Sequence, residues 1–62
     1  MAQLLEVPIE RGGMPATIFI NPLRIDSVER MALRTLVTMG STKIIVLDTM
    51  ENVILAVNQA LA

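Results

Sequence analysis

The sequence predicts an α+β fold: a four-stranded antiparallel β-meander with one C-terminal helix packed on one face. Three observations predict it. Apolar and polar residues alternate along several short runs between Leu4 and Leu47, Gly- and Pro-containing corners separate those runs, and a helical spacing replaces the alternation after Asp48.

The first strand spans about residues 4–10. Leu5, Val7 and Ile9 point one way, and Leu4, Glu6, Pro8 and Glu10 the other. Pro8 cannot donate to a ladder, so this strand is expected at an edge, with that position facing outward. Arg11-Gly12-Gly13-Met14-Pro15 reads as a turn, because paired glycines take positive φ without a steric penalty. A second strand over 16–30 carries Ile18 and Ile20 on one side and Thr17 and Phe19 on the other. Asn21-Pro22 interrupts it, and residues 21–24 are expected to form a bend or bulge within one long strand.

Strands 33–39 and 42–47 flank Gly40-Ser41, a two-residue hairpin loop with glycine first, the II′ pattern. That corner sets the expected register: Met39 opposite Thr42, Val37 opposite Ile44, Thr35 opposite Val46, Arg34 opposite Leu47. The helix, about 49–61, begins at Asp48 or Thr49. Asp48-Thr49-Met50-Glu51 fits a capping box, and the Glu51 carboxylate suits the positive helix N-terminus. Met50, Val53, Ile54, Val57 and Leu61 form the expected docking stripe, with Ala56 and Ala60 beside or opposite it.

The register sorts the last two strands into two faces. Leu33, Thr35, Val37, Met39, Thr42, Ile44, Val46 and Asp48 share the more continuous one, where the helix should dock. Arg34, Leu36, Thr38, Lys43, Ile45 and Leu47 share the other. Leu36, Ile45 and Leu47, joined by Phe19, make that second face too apolar for water and mark it as an interface.

Size points the same way. The chain has 62 residues, one domain at most, and 53% of them are hydrophobic. A domain this small buries only ~60% of its unfolded surface. With no cysteine and no histidine, disulfides and thiolate metal sites are excluded, which leaves oligomerisation as the expected supplement to the core.

The pattern as a whole resembles the small FlbD-like proteins, which include flagellar members and many short bacterial and phage proteins. The resemblance rests on Phe19-Ile20-Asn21-Pro22-Leu23-Arg24-Ile25-Asp26-Ser27-Val28-Glu29, on Thr35–Thr38, on Gly40, and on Lys43-Ile44-Ile45-Val46-Leu47-Asp48-Thr49 followed by a helix. It covers roughly Leu5 to Leu61. It implies the same strand-and-helix plan and is compatible with a bacterial or phage accessory protein. The positions matching Ile45 and Leu47 are usually polar in that family. Here both are aliphatic, which favours an interface.

Enzymatic chemistry is not expected. Without His or Cys the commonest general base and the thiol nucleophile are missing. Ser41 belongs to the hairpin, and Ser27 has no base near it in sequence. Asp26 and Glu29, with Arg24 and Arg30 beside them, read as a surface charge cluster, and Asp48 and Glu51 as helix caps. No cofactor or metal site is expected. A homo-oligomer with a protein partner is the first reading. The alternative is a nucleic-acid-binding regulator using Arg24, Arg30, Arg34 and Lys43, although a net charge of −1 and a single aromatic residue give it little support. No apolar run approaches the ~18 residues of a membrane span. The segment from Met1 to Glu6 has neither the basic nor the long apolar region of a signal peptide. The absence of cysteine fits the cytoplasm.

Overall fold

The computed structural model describes residues 3–62; the Met1-Ala2 portion of the N-terminal segment lies outside the described residues. The chain is α+β, as expected, with two antiparallel sheets and one C-terminal helix rather than a single four-stranded meander. The elements are β1 (Leu5–Arg11), β2 (Met14–Ile20), a 3-10 turn (Pro22–Arg24), β3 (Ser27–Met31), β4 (Arg34–Met39), β5 (Thr42–Val46) and α1 (Met50–Leu61). β1 pairs with β2, and β3, β4 and β5 form a second sheet in that order.

Gly12 and Gly13, at φ +60° and +79°, close the first hairpin. Both corners of a type I′ turn need positive φ, which is why two glycines stand there. The turn is tight enough that β2 already starts at Met14, before the expected Ala16.

The expected bend at residues 21–24 is instead the end of a strand. The Asn21 side chain accepts the Leu23 N–H at 3.0 Å, and Pro22 occupies the first position of the 3-10 turn, its fixed φ already helical. The residues read as a bulge are thus a capped helical start. They separate β2 from β3 so completely that the two strands lie in different sheets.

A two-residue corner, Ala32-Leu33, joins β3 to β4, with Ala32 at φ +54°. The expectation that Leu33 begins a strand and faces the helix is therefore corrected: it lies on the turn and is 80% exposed. Nothing in the sequence marks this corner, since alanine rather than glycine occupies the left-handed position. The next corner follows expectation. Gly40 has φ +62° while Ser41 is not positive, and Met39↔Thr42, Val37↔Ile44 and Thr35↔Val46 are paired; the expected Arg34–Leu47 pair is not, because β5 ends at Val46 and the Leu47 N–H turns to Pro8.

Pro8 lies on β1, the strand that meets β5. Its carbonyl accepts the Leu47 N–H at 2.8 Å. In an antiparallel strand a residue's N–H and C=O point the same way, so proline's missing donor also faces β5 rather than β2. Pro8 is on the outer edge of its own two-stranded sheet, as expected, but that edge is occupied by the end of β5 instead of water.

The core forms where the two sheets and the helix meet. Leu5, Val7 and Ile9 of β1, Ile20 of β2, Val37 of β4, Val46 of β5, and Val53 and Ala60 of α1 are buried together. The helix docks through Val53, Ala56, Val57 and Ala60, spaced at i, i+3, i+4 and i+7. This corrects the expected stripe: Ala60 is buried, while Ile54 and Leu61 are each more than 40% exposed. Small side chains win because they let the helix approach closely; the Ala60 carbonyl accepts the Gln3 N–H at 2.9 Å.

Candidate interaction surface

The pairing of β3, β4 and β5 decides which side chains share the face turned away from α1. Residues directly opposite one another point to the same side of a sheet. Val28–Val37–Ile44 and Arg30–Thr35–Val46 therefore face the core and helix, whereas Ser27–Thr38–Lys43 and Glu29–Leu36–Ile45 face outward. Leu36 and Ile45 are a direct cross-strand pair at the centre of that outer face. Leu36 is half-buried by its neighbours, and Ile45 is 44% exposed. Met31, opposite Arg34 on the same face, is also exposed.

Leu47 lies just past the end of β5, half-buried, its N–H held by Pro8. Phe19 is more distant. It projects from β2, opposite Glu6 of β1, so β1 stands between it and the strand end carrying Leu47. Its ring is 62% exposed. Of the four residues singled out from sequence, two are paired directly, one adjoins them, and one belongs to the other sheet. Met31 was missed because its face could be assigned only once the Ala32-Leu33 corner was known.

The four basic residues of the nucleic-acid alternative are divided. Arg34 and Lys43 lie on the outer face, separated by the Glu29–Leu36–Ile45 row. Arg30 is on the opposite face, ion-paired with Glu51 of α1. Arg24 lines an open hollow beside Asp26, Met39, Gly40, Ser41 and Thr42.

Three of the six acidic residues, Asp26, Asp48 and Glu51, have local partners. Asp26 Oδ2 accepts the Gly40 N–H at 2.6 Å and so braces the β4–β5 corner. Asp48 Oδ1 accepts from the Thr49 N–H at 2.8 Å and from Asn52 Nδ2 at 2.9 Å. The helix N-cap is Thr49, whose hydroxyl accepts the Asn52 N–H at 3.3 Å. Asp48 therefore supports the cap from outside rather than forming the expected capping box with Glu51. The Glu51 carboxyl is held below its ordinary range, first by its own backbone N–H at the helix start and then by the Arg30 guanidinium.

No helix among the described residues is long and apolar enough to cross a membrane. No family model, no curated protein and no solved structure matches the chain.

Proposed function

We propose that the chain is a small non-enzymatic interaction module that self-associates through the apolar outer face of β3–β5 and acts by docking on another protein. The observation that carries this reading is the Leu36–Ile45 pair, central on a face the helix does not cover and joined there by exposed Met31. Burying a large aliphatic side chain is worth ~1.5–3 kcal/mol, so such a cluster can hold a modest interface. A bacterial or phage accessory role, as the FlbD-like resemblance implies, fits a module of this kind.

Light scattering on the full chain at micromolar concentration tests it. The expected result is a mass above the 6.8 kDa of one chain, reduced by Ile45→Lys with the fold retained. A monomer indifferent to that substitution overturns it. A nucleic-acid role for Arg24, Arg30, Arg34 and Lys43 is disfavoured by their division among separate surfaces, and by Glu29 and Glu51 beside them.

A further inference from the structure

Among the described residues, β2 carries an unused backbone edge. The two-residue Gly12-Gly13 loop makes Arg11–Met14 a hydrogen-bonded pair, and bonded and non-bonded pairs then alternate up the hairpin. Ile9–Ala16, Val7–Ile18 and Leu5–Ile20 exchange bonds; Glu10–Pro15, Pro8–Thr17 and Glu6–Phe19 do not. The Pro8 carbonyl turning to Leu47 agrees with this phase. On β2, the backbone groups of Pro15, Thr17 and Phe19 therefore point away from β1. Among the described residues, no backbone group of β2 bonds to any other element.

Natural edge strands are commonly blunted by charge. The free edge of the other sheet, β3, carries Glu29 and Arg30, with Arg30 tied to the helix. β2, Met-Pro-Ala-Thr-Ile-Phe-Ile, has seven residues and no charge, and its one blunting residue, Pro15, lies at the hairpin end. Thr17 and Phe19 are exposed beside its free edge. A two-stranded sheet with an apolar open edge is also the arrangement that gains most from added strands.

We infer that β2 pairs antiparallel with β2 of a second copy of this chain, about a two-fold axis through Ile18. This rests on the proposed self-association and assigns it a contact separate from the Leu36–Ile45 face. The strand is self-complementary in that register. Thr17 stands opposite the partner's Phe19, and each exchanges both backbone bonds; the axis repeats the pair. Pro15, which has no N–H, falls opposite the partner's Asn21, whose carbonyl already accepts the Arg24 N–H at 3.0 Å, so Pro15 needs only to accept. Centring the axis on Thr17 instead would set Pro15 against the partner's Phe19 and forfeit a donor on each side. No charge on β2 opposes the approach, and the result is one four-stranded sheet running through both copies.

The chain has no cysteine, so single cysteines report the register cleanly. In this register Ile18 faces the partner's Ile18 as a non-bonded pair, ~4.5 Å between Cα atoms, within reach of a disulfide. Ile18→Cys is expected to cross-link to a dimer on mild oxidation at least tenfold faster than Ala16→Cys, which stands opposite the partner's Ile20. Thr17→Pro removes a donor that the hairpin itself does not use, so it should weaken the dimer at least tenfold in light scattering with circular dichroism unchanged. A dimer that resists Thr17→Pro, with equal cross-linking of the two cysteines, overturns the edge contact while leaving self-association standing. If Ile45→Lys alone dissolves that dimer, the outer face is the contact. A wild-type monomer overturns both. Should Thr17→Pro fail to fold, the ratio of the two cysteine rates decides.

Discussion

The Thr35 hydroxyl donates to the Asp48 carbonyl at 2.9 Å, joining the start of β4 to the residue before the helix cap. Thr35 is fully buried, the one polar side chain in the core among the described residues. Buried polar groups need partners, and this one lies thirteen residues on, where the chain leaves the sheet for α1. The bond ties the chain to β4 just before α1 begins.

Thr35→Val should therefore destabilise the fold despite the gain of a methyl group. It leaves the Asp48 carbonyl without its donor, at a cost of about 1–3 kcal/mol. Urea denaturation followed by circular dichroism measures this; a variant as stable as the native chain would show that the bond contributes nothing.

Ala32 and Gly40 occupy the same first-corner position of successive two-residue hairpins, both at positive φ. Left-handed backbone costs a residue bearing Cβ roughly 1–2 kcal/mol, partly offset by the ~0.5–1 kcal/mol entropy that glycine loses on folding. Ala32→Gly is expected to stabilise by about 0.5–1 kcal/mol. Gly40→Ala should destabilise by about as much, and purely through the backbone, since an added Cβ would meet no atom within 4 Å. Thermal melts of the two variants should move in opposite directions; movement in the same direction would refute the corner assignment.

Glu51 predicts an acid-side loss of stability. Its carboxyl titrates below the unfolded value of 4.5, so the folded state favours the ionised form. That contribution is fully present above pH 4.5 and disappears as pH falls through the lower folded value. Glu51→Gln should lose less stability between pH 7 and pH 3 than the native chain, measured as the shift in urea midpoint. An equal loss would mean that neither the helix start nor Arg30 favours the charge.

Leu36→Lys should leave the monomer fold intact, because the residue lies on the face opposite the core, and should reduce association in parallel with Ile45→Lys, its cross-strand neighbour. Sedimentation of the two single variants and the double variant checks this. Because the residues touch the same surface, the double variant is expected to lose less than the sum of the singles.

The Gly40-Ser41 corner was readable because glycine and loop length together specify a hairpin, and the register then sorts every side chain on β4 and β5 by parity. The Ala32-Leu33 corner was not, since alanine carries no turn signal and its positive φ is imposed by the strands it joins. Asn21-Pro22 was visible as an interruption, but a cap and a bulge use the same residues. The Asn21–Leu23 bond and the Arg24 N–H to the Asn21 carbonyl distinguish them. The helix stripe differs for a similar reason: apolar residues at helical spacing suggest Ile54 and Leu61, whereas close approach selects Ala56 and Ala60.

By itself the sequence determined the class of fold, the C-terminal helix, the glycine corners and the outward position of Leu36 and Ile45, all of which follow from local backbone preference and a period-two alternation. The tertiary structure alone decided that the strands divide into two sheets, that β1 leans on β5 through Pro8, and that β2 keeps an edge left open among the described residues. Those outcomes depend on contacts between residues far apart in the chain, where spacing along the sequence carries no information about which backbone groups meet.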